Sequence, residues 1–363
     1  MARRPDLGYE RGSNVSLRRA HLVVPVVATA MVLSAFSQPR DGAGRFANEN
    51  GKGPASLADV LKWQVWDRLT GKRRVAPAHA PVPAVVPDLA LLRTPPAPGE
   101  PARVTWLGHA SFLVQLDGVS LLVDPALKPA LFGGIARNVA PGVAIEDLPP
   151  IDAVLVSHSH YDHLDLPTLE ALHAPVVAGL GLERWFRDRG LFCTELGWWR
   201  TTTVRGVRVT FVPAQHWSRR GLFDTNTTLW GGFVVEGTRA SLYHSGDTAW
   251  FDGFKEIGAR FPAIDAALLP IGAYDPEWFM SHQHLDPEQA LRAFGDLGAR
   301  TFVAMHWGTF KLTDEPLDEP PRRLEAERRR LGLDPARVRV PAVGETLVIG
   351  RAADPRARAH PPE

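Results

Sequence analysis

The sequence predicts an α/β fold, a four-layer αββα sandwich whose functional edge lies where paired sheets end. Three observations carry this expectation. Short apolar runs with strand character alternate with helical patterns through the main part of the chain. Four of those runs lead into a histidine or aspartate, as strands of a buried sheet do when they deliver side chains to one edge. The third is size: 363 residues with 45% apolar content can bury one large domain with tails.

From the N-terminus, Arg18 and Arg19 precede the apolar run 22–36, which is short for a membrane span and suits a signal peptide. Ala35-Phe36-Ser37 offers small residues for cleavage, and the paired arginines hint at twin-arginine export after folding and metal loading. No cysteine follows, so no lipoprotein anchor is expected. Residues 1–37 are read as a signal peptide or membrane-proximal segment. The protein is then exported (periplasmic or membrane-associated) if the segment is a signal, and cytoplasmic otherwise.

Residues 38–100 are expected to hold an N-terminal helix and a Pro/Ala-rich strap. Pro77, Pro81, Pro83, Pro87, Pro95, Pro96 and Pro98 exclude a helix or central strand there and predict a polyproline-like path over the surface. The main domain, 101–350, carries strand patterns at 120–123, 151–156, 207–212, 240–244 and 301–305. Helical patterns fall at 166–173, 287–297 and 320–331, the last opening on Pro320-Pro321 as helix starts do. Residues 351–363 are expected to be a disordered tail.

A formal charge of +1 argues against a broadly basic surface, so no nucleic acid is expected as a partner. Arg322, Arg323, Arg328, Arg329 and Arg330 make a local basic stretch, read as a solvated helix face, with attraction to anionic lipid headgroups as the sharper alternative. The single Cys193 rules out an intrachain disulfide framework.

The chemistry concentrates in His158-Ser159-His160-Tyr161-Asp162-His163, an H-x-H-x-D-H array directly after an apolar run. Imidazoles and a carboxylate packed so closely suit a borderline divalent ion such as zinc. Other strand-like runs lead to His216, Asp247 and His306, giving seven ligands in all, too many for one tetrahedral ion. Two ions sharing a carboxylate accommodate them. In an extended segment His158 and His160 point the same way and hold one ion with His216; Asp162, His163 and His306 take the other; Asp247 bridges. His109 reads as a buried, satisfied histidine and Asp124 as a residue fixing a loop beside the site. His21, His79 and His360 lie in segments without ligand context.

Further motifs surround the array: Thr105-Trp106-Leu107-Gly108-His109, Gly197-Trp198-Trp199, Gln215-His216-Trp217, Gly246-Asp247-Thr248, Trp278-Phe279-Met280, Gln283-His284-Leu285-Asp286-Pro287 and His306-Trp307-Gly308. On these residues the chain resembles the metallo-beta-lactamase fold, and within it the N-acylphosphatidylethanolamine-hydrolysing phospholipase D group. The resemblance runs over roughly 101–350, with a weaker echo over 57–69. It implies an αββα sandwich of the metallo-beta-lactamase type and zinc sets that agree with the assignment above. It also implicates His284 and Gln283 in activity. The chain departs from the pattern at His282, where animal members carry an aromatic residue, and at His244.

The implied activity is that of a binuclear metal-dependent hydrolase, a phospholipase D-type phosphodiesterase cleaving N-acylphosphatidylethanolamine-like lipids with a metal-activated hydroxide. Two dications against two aspartates and a hydroxide leave a positive pocket, which favours an anionic ester. In this reading His284 and Asp162 are catalytic, with His284 orienting the phosphate or protonating the departing alkoxide, and Tyr161 donates a hydrogen bond to the same oxygens. Gln283, Trp278, Phe279 and Met280 are the expected substrate contacts; Trp198, Trp199, Trp217 and Trp230 are mostly assigned to core. Two zinc ions are the expected cofactors, with manganese or iron also suited to the carboxylate-rich position. A phospholipid or other anionic ester is the expected partner, with peripheral membrane contact and a homodimer left open. The alternatives are a lactonase or other esterase on the same fold, and a metal-stabilised binding protein without turnover.

Overall fold

The computed structural model describes residues 38–350. The expected signal segment and tail lie outside the described residues. Fourteen strands are present among those described: β1 (Ala102–Gly108), β2 (Ser111–Leu116), β3 (Val119–Val123), β4 (Ala153–Val156), β5 (Val176–Gly179), β6 (Cys193–Leu196), β7 (Arg200–Val204), β8 (Val207–Val212), β9 (Gly232–Glu236), β10 (Ser241–His244), β11 (Ala266–Pro270), β12 (Thr301–Met305), β13 (Val338–Arg339) and β14 (Thr346–Ile349). They form two seven-stranded mixed sheets, ordered β14-β1-β2-β3-β4-β5-β6 and β13-β12-β11-β10-β9-β8-β7.

Side-chain alternation fixes which way each strand faces. In the first sheet Phe112, Val114, Leu121, Val123, Ala153 and Leu155 enter the core between the sheets. Their neighbours Leu113, Leu122, Val154 and Val156 point to a second core on the opposite face. A strand buried on both faces needs apolar residues at every position, which is why these runs are continuous rather than alternating.

The second core is covered by α3 (Leu166–Leu172) and α4 (Glu183–Arg187), through Leu169 and Phe186. On the second sheet, α5 (Gly253–Arg260) and α7 (Pro287–Leu297) contribute Phe254, Ile257, Leu291 and Phe294 to the main core, and Phe294 meets Phe302 of β12 at 5.7 Å. The outcome is helix, sheet, sheet, helix, the expected sandwich. Helix α7 starts at Pro287 because the Asp286 carboxylate accepts from the Gln289 amide and Gln289 reaches back to Asp286, a capping box.

The strap departs from expectation at one place. Residues 89–92 form a short helix, α2 by chain order after α1 (Leu57–Leu61). This window contains no proline, Asp88 caps it by accepting from Leu91 N at 3.0 Å, and Leu92 is buried in the second core. Elsewhere the strap stays extended and bonds to the domain through Val85 N to Val343 O and Val343 N to Pro83 O, both 2.8 Å.

Helix α1 runs on as a π-helical turn, Lys62–Asp67, and Trp63 packs on Phe279 of α6 (Glu277–Met280) at 4.9 Å. The basic stretch falls on α8 (Glu319–Arg330), where all five arginines pair with a carboxylate: Arg322 with Asp318, Arg323 with Glu288, Arg328 and Arg329 with Glu325, and Arg330 with Glu327. The solvated-face reading therefore fits, and little unpaired positive charge remains there for a lipid headgroup.

Candidate metal centre

Strands β1, β3, β4, β8, β10 and β12 all end at one edge of the paired sheets, and the loops after them carry His109, Asp124, the histidine array, His216, Asp247 and His306. The backbone bends sharply to do this. His109, Asp124 and His306 have φ of 55, 43 and 60°, a left-handed conformation that costs a side-chain-bearing residue energy and persists where packing imposes it. Gly272 leaves room for the His306 turn, since a Cβ there would stand 2.2 Å from the His306 carbonyl oxygen.

The side chains converge in two groups around Asp247. His160 Nδ1 lies 2.8 Å from His158 Nε2 and 3.2 Å from His216 Nε2, and those two Nε2 atoms are 3.9 and 3.8 Å from Asp247 Oδ2. On the other side His306 Nε2 is 3.0 Å from Asp247 Oδ1 and His163 Nε2 is 3.2 Å from Oδ2; both are 3.7 Å from Asp162 Oδ2. His163 Nε2, His306 Nε2 and Asp247 Oδ1 are buried without a hydrogen-bond partner among the described residues. Buried polar atoms left open and facing one another are what a divalent ion would satisfy, so the residues present fit one.

The ring tautomers are set from behind. His163 Nδ1 lies 2.8 Å from Asp124 Oδ2; Ser157 Oγ donates to the same oxygen at 2.6 Å and accepts from His158 Nδ1 at 2.9 Å. His216 Nδ1 donates to the Gln283 carbonyl at 2.8 Å. With the far nitrogens protonated, Nε2 of each ring keeps its lone pair for the centre. Asp124 thus does more than fix a loop: it orients two candidate ligands. His109 is buried as expected, but its partner is Asp162 Oδ2 at 2.9 Å, so it steers a candidate ligand too.

Charge divides the cluster. Burial holds His158 and His216 well below the ordinary imidazole range, and His160 and His284 at about 4. Burial also pulls on His163 and His306, but the carboxylates, Asp247 foremost, outweigh it, raising His306 to about 9 and lifting His163 well above the ordinary imidazole range. Asp162 and Asp247 would be raised by burial, yet the adjacent imidazoles, His163 first, hold them well below the carboxylate range. Without metal, the Asp162–His163–His306 half keeps protons where a dication would sit.

The remaining sequence-predicted residues are placed variously. His284 sits over the centre, its Nδ1 3.9 Å from Asp247 Oδ2, and helix capping is left to Asp286. Gln283, Phe279 and Met280 line a cleft of about 940 Å³ that opens from the centre, together with Trp217, Tyr161, Phe132, Val60 and Trp63. Trp278 is a correction: it is 41% exposed, lies under the Lys62 ammonium at 3.7 Å and stays outside the cleft lining. Tyr161 is another, for its hydroxyl donates to the Arg220 carbonyl at 2.7 Å and its ring stacks on Phe132 at 4.6 Å, so it serves as wall rather than donor to substrate. Trp198 and Trp230 are core, as assigned, and His244 Nε2 donates to Ala110 O at 2.9 Å while its Nδ1 accepts from Gly246 N at 3.1 Å.

Sequence reading missed Arg220, whose Nη1 donates to Ser159 O and Leu164 O at 2.9 and 2.7 Å and so clamps both ends of the array. Its position four residues past His216 is the only signal that could have raised it. Arg219, beside it, lines the cleft with no carboxylate partner among the described residues.

A family model described as a beta-lactamase superfamily domain matches residues 120–307, just over half of the chain. N-acyl-phosphatidylethanolamine-hydrolyzing phospholipase D 1 of Caenorhabditis elegans is 36% identical over 242 residues, 61% of this chain and 68% of that protein. A metal-dependent hydrolase of Opitutus terrae is 34% identical over 252 residues, 68% of this chain and 100% of that protein. Among solved structures, the metallo hydrolase Igni18 of Ignicoccus hospitalis covers 68% of this chain and 97% of its own at a TM-score of 0.51 and 24% identity, a likeness of fold. Two packed sheets with histidines and aspartates gathered at one edge are thus the frame of a metal-dependent hydrolase of the metallo-beta-lactamase fold. The chain belongs to the beta-lactamase superfamily, with phospholipases D that hydrolyse N-acyl-phosphatidylethanolamine among its relatives.

Proposed function

We propose that the protein is a binuclear phosphodiesterase of phospholipase D type, acting on N-acylphosphatidylethanolamine-like lipids. His158, His160 and His216 would hold one divalent ion, Asp162, His163 and His306 the other, with Asp247 between them, and the nitrogen and oxygen donor set suits zinc. Bound ions supply Lewis acidity and lower the pKa of water at the phosphorus. The single observation that carries the lipid reading is the cleft: about 940 Å³, walled by Val60, Trp63, Leu131, Phe132, Phe279 and Met280, and ending on Asp162, Asp247 and His284. Such a wall accepts acyl chains, whereas a lactone calls for a smaller, more polar pocket.

In hydrolysis the oxygen of water joins phosphorus, the bond from phosphorus to the ethanolamine oxygen breaks, and the departing alkoxide takes a proton. Burial keeps His284 neutral near pH 7, with one N–H to give to that alkoxide and one lone pair to recover a proton from water. Arg219 offers positive charge to the anionic phosphate.

The test is elemental analysis of the purified protein together with release of phosphatidic acid from N-acylphosphatidylethanolamine in mixed micelles, alongside a lactone panel. About two ions per chain with phosphatidic acid release is expected, and His284→Ala should keep both ions while losing roughly 10²-fold or more in turnover. Lactone opening without lipid cleavage would remove the substrate assignment.

A further inference from the structure

Asn48 lies far upstream of the matched superfamily region, yet it is 5% exposed and bonded to the candidate centre. Its Oδ1 accepts from His216 N at 3.2 Å and from Trp230 Nε1 at 3.0 Å; its Nδ2 donates to His216 O at 2.8 Å and Lys52 O at 2.6 Å. Every donor of the amide is used and its oxygen accepts two bonds. A flipped amide would set oxygen against two carbonyls and nitrogen against two N–H groups, so the network admits one orientation. The segment around Asn48 is itself anchored: Phe46 is buried in the main core, Phe46 N donates to Asn226 O at 2.9 Å, and Trp198 N donates to Gln38 Oε1 at 3.0 Å.

Two of the three bonds from the Asn48 amide to backbone atoms fall on one residue, His216, whose ring is held from the other side by the Gln283 carbonyl. Removing the Asn48 amide leaves the His216 N–H and C=O buried without partners, and the peptide must move to find others. Among the described residues no hydrogen bond from this upstream segment reaches Asp162, His163 or His306; His109 holds Asp162, Asp124 holds His163, and the His306 backbone N–H donates to His109 O at 2.9 Å, all within the main domain.

We propose that Asn48 is a positioning residue for one metal half-site only: a latch from the N-terminal segment that aims His216 at the ion shared with His158 and His160. The consequence is asymmetric. The half-site of Asp162, His163 and His306 is built within the domain, while the other is completed by chain outside it. This inference rests on the two-ion reading above.

The experiment uses the full chain as wild type, Asn48→Ala and Asn48→Asp, stripped and reloaded with zinc or cobalt. Measured are bound metal per chain at buffered free metal, the visible spectrum of the cobalt form, and the unfolding temperature of the metal-free form. In Asn48→Ala one ion should bind roughly 10–100-fold more weakly, so that bound metal falls from two toward one, with the other ion changed less than about threefold. The cobalt bands of the weakened site should shift. Asn48→Asp is isosteric and keeps the acceptor role, but sets a second oxygen against two carbonyls; it should lie between Ala and wild type. Should Asn48→Ala not fold, Asn48→Asp alone decides. Two ions bound with wild-type affinity in the folded variants, or both weakened equally, would overturn the latch. Fewer than two ions in the wild type would instead remove the two-ion reading on which it stands.

Discussion

At the scale of single residues, the centre is an electrostatic arrangement that two protons stabilise when metal is absent. His306 stands at about 9 against its ordinary 6.5, so its contribution to folding is complete below pH 6.5 and lost as pH rises toward 9. His160 and His284, at about 4, act in the opposite sense: their contribution is present above pH 6.5 and lost as pH falls toward 4. The metal-stripped protein should therefore show its highest unfolding temperature near pH 6.5, with a decline on both sides. A dication held by His306 would replace that proton and should abolish the alkaline decline. Thermal unfolding followed by circular dichroism from pH 5 to 9, with and without zinc, reads both limbs, and a stripped protein that grows steadily more stable up to pH 9 would show that His306 does not carry the proton.

At the scale of elements, strand-to-loop transitions were the legible part. Apolar runs that lead into His158, His216, Asp247 and His306 became β4, β8, β10 and β12, and the three helical patterns became α3, α7 and α8 to within a residue or two. Periodicity and metal-capable side chains are local signals, and they survive without knowledge of the fold. What escaped was support arriving from elsewhere in the chain: the Asn48 amide and the Arg220 guanidinium bond to backbone atoms and Gln283 offers its own carbonyl, contacts that leave little mark on composition or spacing. The short helix α2 escaped for a different reason, its proline-free window being hidden within a proline-rich average. The clamp can be tested as an element. Arg220 is mostly buried, with its guanidinium 4.2 Å over the Tyr161 ring, and it ties Ser159 O to Leu164 O. Arg220→Gln should loosen the whole array and weaken both ions by roughly tenfold or more, in contrast to the one-sided effect expected at Asn48. Competition with a chelator under identical buffered zinc separates the two patterns, and unchanged affinity in Arg220→Gln would leave the clamp without a role in binding.

At the scale of the whole molecule, the segments that line the cleft also carry large apolar side chains that the fold leaves in water. Leu57, Leu61, Trp66 and Leu69 lie exposed along the N-terminal helical segment, Phe132 and Ile135 project from the loop after β3, and Leu222 and Phe223, each 86% exposed, tip the loop after His216. Monomeric proteins seldom expose so many large apolar groups on neighbouring segments without a partner for them. Arg219 supplies unpaired positive charge at the cleft, and among the described residues no helix is long and apolar enough to cross a membrane. On the lipid reading proposed above, these side chains would suit shallow contact with an anionic bilayer, which would bring the cleft to its substrate without extracting it through water. Burying Leu69 and Phe223 contributes up to about 1.5–3 kcal/mol each, so the double change Leu69→Asp and Phe223→Asp should weaken sedimentation with anionic phospholipid vesicles by roughly tenfold or more. Neither side chain lines the cleft or touches the centre, so metal content and hydrolysis of a short-chain, water-soluble phosphodiester should stay within about twofold of wild type. Equal loss on the soluble and vesicle substrates would mean that the changes damaged the fold, and unchanged vesicle binding would mean that these side chains face something other than a membrane.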